Sequence, residues 1–106
     1  MAKYLVKGAY NPEGTRGLAK DGGTGRRKAV QAMTEALGGK LEAFYYAYGE
    51  DDVYLICDFP DQATALGVSL AVNASGAVRV SLVPLITAEE MDAACKKSVG
   101  YRAPGA

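Results

Sequence analysis

Apolar and polar residues alternate over residues 4–10, a period of two that predicts a first strand. Asn11-Pro12 then supplies a helix cap followed by proline at the first helical position. The pattern predicts a short helical turn over residues 12–20, broken by Asp21-Gly22-Gly23-Thr24-Gly25, with the helix resuming near Arg26. Ala29, Val30, Met33, Ala36 and Leu37 share one face of that helix, and Gly38-Gly39 ends it. Residues 41–48 and 53–59 read as two strands joined by the turn Gly49-Glu50-Asp51-Asp52, a hairpin. Pro60-Asp61 opens a second helix with Ala63, Leu66, Leu70 and Ala74 on its inward stripe, ending at Ser75-Gly76. Residues 78–86 form the fourth strand. Thr87 and Glu90 have the spacing of a capping box for a last helix, with Met91, Ala94 and Cys95 inward.

This order is strand, helix, strand, strand, helix, strand, plus a C-terminal helix. Right-handed crossovers place both main helices on one face of a four-stranded antiparallel sheet, the α+β ferredoxin-like arrangement β-α-β-β-α-β. Residues 1–99 are expected to make a single domain, and 100–106 a flexible tail.

Strand alternation divides the side chains between two faces. Tyr4, Val6, Gly8 and Tyr10, then Leu41, Ala43, Tyr45 and Ala47, then Val53, Leu55, Cys57 and Phe59, then Val78, Val80 and Leu82 carry no charge and are assigned to the helices. Lys3, Leu5 and Lys7, then Glu42, Phe44, Tyr46 and Tyr48, then Tyr54, Ile56 and Asp58, then Arg79, Ser81, Val83 and Leu85 form the opposite face. That face is too greasy for open water, because contiguous apolar area usually marks an interface or ligand site. Its tyrosines suit an interface, where a ring is hidden while its hydroxyl finds a partner. The expectation is a homo-oligomer, most simply a dimer packed through this sheet face.

Composition narrows the chemistry. The 106 residues include 12 basic and 12 acidic side chains and no histidine. Zero net charge gives no general pull on nucleic acid or an anionic membrane. Without histidine there is no Ser-His-Asp triad and no histidine-held zinc or haem. Cys57 and Cys95 have neither zinc-motif nor disulfide-framework spacing, and both are expected to be inert thiols within apolar surroundings. No window approaches a membrane span, and the N-terminus lacks a signal-peptide pattern; the default expectation is the cytoplasm. No cofactor is expected.

Several residues remain as site candidates. Asp58 is a mid-strand carboxylate on the mixed face; buried beside tyrosines it would be a weak catalytic candidate, against the favoured reading of an ion pair with Lys7 or Arg79. Tyr46, Tyr48 and Tyr54, with Arg79, would line a small-molecule cavity, against the favoured reading of interface packing. Arg26 and Arg27, following the glycine run, would receive an anion that relieves cations at a helix start, against a mobile solvated loop. The turn carboxylates of residues 50–52 lack the ligand count of a calcium loop, so no metal site is expected.

Gly38-Gly39-Lys40-Leu41-Glu42-Ala43-Phe44-Tyr45 followed by Gly49-Glu50-Asp51-Asp52-Val53 resembles the GYD-domain family of small bacterial proteins. Matches at Tyr10-Asn11-Pro12-Glu13-Gly14, Phe59-Pro60-Asp61, Ala77-Val78-Arg79 and Thr87-Ala88-Glu89-Glu90-Met91 extend the resemblance through the last helix. Asp51 departs from the namesake motif, where the family usually has tyrosine. The resemblance implies a ferredoxin-like fold of the dimeric α/β-barrel type and little about activity. Two functions stay open: a homo-oligomeric binding or regulatory module, and a cofactor-free dimeric-barrel enzyme, monooxygenase- or isomerase-like, acting on a small organic substrate.

Overall fold

The computed structural model describes residues 2–106. Its elements run β1 (Ala2–Tyr10), α1 (Pro12–Asp21), α2 (Gly23–Ala36), β2 (Lys40–Tyr46), β3 (Val53–Phe59), α3 (Gln62–Ala74), β4 (Val78–Leu85) and α4 (Ala88–Cys95). The strands form one antiparallel sheet in the order β2-β3-β1-β4, so the expected α+β ferredoxin-like topology is present. Tyr4, Val6, Val53, Leu55, Cys57 and Phe59 are buried on one sheet face, joined by Ala65 of α3. Helix α2 packs over β2, and α3 over β4 and β3.

Local capping explains where the helices start. The Asn11 side chain accepts from the Gly14 amide at 2.8 Å, with proline next in sequence. The Asp61 carboxylate accepts from the Thr64 amide at 2.8 Å and from the Thr64 hydroxyl at 2.7 Å. The capping box of Thr87 and Glu90 is complete in both directions. The predicted glycine loop, by contrast, does not exist. Gly22 alone breaks the helix, at φ 78°, and residues 23–25 already form the first turn of α2.

The Asp61 cap carries a pH signature. The amide and then the hydroxyl of Thr64 hold its carboxyl below the usual carboxylate value. A depressed folded pKa contributes stability above the unfolded value, about 3.9, and loses it as pH falls through the folded value. The Thr64 amide resonance should therefore titrate at a pH below that of a free aspartate, and Asp61→Asn should keep the cap while abolishing the titration. Retention of the same titration in that variant would exclude Asp61 as its origin.

Three expected faces are corrected. Helix α2 turns Arg26, Val30 and Thr34 towards the sheet, whereas Ala29, Met33, Ala36 and Leu37 are more exposed. The fully buried Thr34 satisfies its hydroxyl on the Val30 carbonyl at 2.8 Å, so a polar residue is tolerated inside. Helix α3 buries Ala65 and half-buries Val68 and Val72; Leu66 and Leu70 point outward with Ala63 and Ala74. The α3 sequence is apolar on nearly every side, so its periodicity did not say which stripe faces the sheet.

The last helix is the third correction. Met91, Ala94 and Cys95 do not face inward; every residue from 86 to 106 is exposed. The helix stands off the body, and the radius of gyration is 16.9 Å, well above the roughly 13 Å of a compact domain of this length.

Candidate functional site

A bulge in β2 decides which aromatics share a face. Leu41 pairs with Cys57, but Ala43 pairs with Ile56 and Phe44 with Leu55, so one extra residue enters the strand between Leu41 and Ala43. A one-residue slip moves every later side chain across the sheet. Phe44 and Tyr46 therefore join the helix side, while Ala43 and Tyr45 go to the open face, opposite to the assignment from simple alternation. The two aromatic rings on the helix side meet edge to face, centroids 5.1 Å apart. The Tyr46 hydroxyl donates to the Gly23 carbonyl at 3.0 Å, fastening β2 beneath the start of α2.

The proposed aromatic cluster consequently does not converge. Tyr54 is on the open face of β3 and Arg79 on that of exposed β4, with β1 between them. Tyr46 is on the other side of the sheet, and Tyr48 lies beyond the end of β2, fully exposed. Asp58 is on the open face, as expected, but its partner is Lys3, at 3.0 Å, rather than Lys7 or Arg79. Lys3 also pairs with Glu42. Glu42 and then Asp58 raise the Lys3 pKa, so the ammonium remains charged between the two carboxylates. Cys95 is an exposed thiol rather than one within apolar surroundings.

A hollow with a largely apolar lining, open in part to solvent, lies on the helix side of the sheet. This cavity of about 250 Å³ lies between the sheet and helices α2 and α3. Val6, Leu55 and Phe59 form part of its floor, Val30 and Met33 one wall, and Val68 and Val72 the other. Thr34 and Cys57 also border it, but neither offers a free ionised group. The Thr34 hydroxyl is engaged with Val30, and burial pushes the Cys57 thiol up to about 11, against the Thr34 hydrogen bond that lowers it and with Asp58 adding to the rise.

The one charged group of the lining sits at one end. Tyr10, the last residue of β1, and Arg26 of α2 border both the cavity and an outer groove between α1 and α3, as do Val72 and Val78. These four residues make its neck. The backbone of Tyr10 is held in place by the Asp52 carboxylate, which accepts from its amide at 2.8 Å. Asp52 also donates its own amide to the Gly8 carbonyl at 2.8 Å, so the hairpin end is locked to β1. Burial lifts the Tyr10 phenol above its ordinary pKa; Arg26 opposes the shift and Asp52 adds to it. Tyr10 is therefore a hydrogen-bond donor near neutral pH.

Arg26 and Arg27 separate. Arg26 is partly buried at the neck, while Arg27 is exposed beside a shallow depression bordered by Gly23 and Tyr46. Among the described residues neither has a carboxylate within 4.0 Å. The sequence signal for Arg26 was present as cations at a helix start; Tyr10 was missed because strand alternation showed only an apolar-side residue. No group of His, Cys, Asp and Glu side chains able to hold a metal occurs among the described residues. No helix among them is long and apolar enough to cross a membrane.

The family model described as GYD domain matches residues 4–95. No curated protein and no solved structure matched the chain significantly.

Proposed function

The chain belongs to the GYD-domain family, and we propose from that premise that it is a homo-oligomeric binding or regulatory module. Two copies pack their open sheet faces together, and each keeps its helix-side cavity for a small molecule. The cavity carries the binding half of this reading: a largely apolar hollow with its one charged side chain at the neck is a common form of small-ligand site.

Self-association has its own support. On the open face, Lys3 pairs with both Glu42 and Asp58, so each charge has a partner within the chain although one negative charge is left over. A paired cluster is less costly to desolvate than separate ions. Around it lie Leu5, Tyr54, Ile56, Val83 and Leu85, joined by Tyr45 through the bulge. Light scattering should give twice the 11.1 kDa chain mass at micromolar concentration, and Ile56→Asp should give a folded monomer. A wild-type monomer under these conditions overturns the dimer.

The alternative of a cofactor-free monooxygenase- or isomerase-like enzyme requires an acid or base facing the bound molecule. Asp58 is on the opposite side of the sheet from the cavity. Cys57 and Thr34 supply no ionised group inside it. Binding is therefore the better-supported role.

A further inference from the structure

The neck and the cavity differ sharply in chemistry, and that difference restricts what fits. An apolar cavity of 150 Å³ accommodates benzene, so 250 Å³ has room for roughly ten non-hydrogen atoms, one ring with a short substituent. The described lining offers no carboxylate. At the neck, by contrast, Arg26 brings a planar set of donors that no carboxylate in the described chain engages. Tyr10 stands at the same neck with a protonated hydroxyl.

The helix adds to this polarity. The first turn of α2 contains no acidic residue, and its Gly22 cap supplies no side chain. Arg26, Arg27 and Lys28 follow immediately. The positive end of the helix and these cations leave an excess of positive potential beside the neck. Outside it, Glu13 and Asp21 line the groove leading in. Those carboxylates repel any anion, and a dianion more than a monoanion, so the approach favours the smaller negative charge.

We propose that the cavity takes a small apolar monocarboxylate, its ring enclosed between sheet and helices and its carboxylate held at the neck by Arg26 and Tyr10. This deepens the binding reading above and rests on it. The guanidinium presents two parallel N–H groups to the carboxylate, the geometry that suits arginine better than lysine. Tyr10 donates a further hydrogen bond. The valines around the ring provide no competing polar contact, and orientation is therefore set by the charged end alone.

Benzoate, benzyl alcohol and acetate are the probes, titrated into the full chain with Val30 and Val68 methyl resonances, inside the cavity and away from the neck, as the readout. Benzoate should bind saturably and shift both methyls. Benzyl alcohol, of similar size but uncharged, should bind about tenfold or more weakly, the loss expected when one charge-assisted contact is removed. Acetate should leave the methyls unmoved, since it has no ring to fill the space. Arg26→Gln should reduce benzoate affinity by a similar factor and leave benzyl alcohol unchanged, while Arg27→Gln should alter neither.

Equal affinity of the wild-type protein for benzoate and benzyl alcohol would overturn the monocarboxylate assignment but preserve the binding reading. Failure of both ring compounds to shift the methyls would overturn both. Acetate binding as tightly as benzoate would show an anion site without use of the cavity, and would also overturn the assignment. The comparison between probes uses the unaltered chain, so it stands even if Arg26→Gln fails to fold.

Discussion

Phe59→Ala is expected to destabilise the protein more than any other single truncation in its sheet face. Phe59 closes β3 at 1 % exposure, and its ring lies against that of Tyr4 at a centroid distance of 6.1 Å. Removing a buried phenylalanine costs about 3–5 kcal/mol, part from lost burial and part from the void left behind. Small domains have only about 5–15 kcal/mol in total. This domain already contains an apolar cavity bordered by Phe59, so the new void merges with the old one and water enters more readily. Leu70→Ala should cost less than about 0.5 kcal/mol under monomeric conditions, because Leu70 is 72 % exposed. Urea denaturation of the two variants distinguishes a sheet-centred core from one that includes the leucines of α3. A larger loss at Leu70 than at Phe59 would place the core elsewhere.

Gly14→Ala is the second large effect. Gly14 is buried in the first turn of α1, and a Cβ there would lie 2.2 Å from the Ala77 carbonyl oxygen and 3.0 Å from Tyr10 Cδ1. The backbone oxygen has little freedom to retreat. It already accepts from the Asn11 amide at 3.1 Å, and the Asn11 side-chain amide donates to the neighbouring Gly76 carbonyl. The methyl group would therefore force α1 away from the connection between α3 and β4. Overpacking of this kind costs about 1–3 kcal/mol, at times more. It would also move Tyr10 and disturb the neck of the cavity. Gly17→Ala is the matched control: nothing lies within 4 Å of its added Cβ, and relief from a helical glycine should stabilise by up to about 1 kcal/mol. Thermal denaturation should thus shift in opposite directions for two glycines one turn apart. Equal shifts would contradict the close approach at Gly14.

Much of this architecture was legible from local chemistry. Asn11-Pro12, Asp61 and the pair Thr87 and Glu90 each satisfy backbone amides within a few residues, so they announce helix starts without reference to the rest of the chain. Strand alternation in β1, β3 and β4 was equally direct, because β1 pairs with β3 and with β4 without a register shift. The candidate site was far less legible. Tyr10 and Arg26 are 16 positions apart in sequence, on a strand end and a helix start, and share no motif. The charge of Arg26 is visible in the sequence but its direction is not, and strand alternation gives the apolar setting of Cys57 while nothing local gives the exposure of Cys95.

The sequence by itself determined the element types, their order, the sheet topology and the greasy character of both sheet faces, because these follow from caps, periodicity and crossover handedness. Tertiary structure decided the phase of β2, the rotation of α2 and α3, the detachment of α4 and the position of the cavity. The reason is common to all four. An extra residue in a strand leaves no mark on composition, and a helix apolar on several sides buries whichever stripe fits the pleat beneath it. Those choices depend on shape matching between elements distant in the chain, which period alone does not encode.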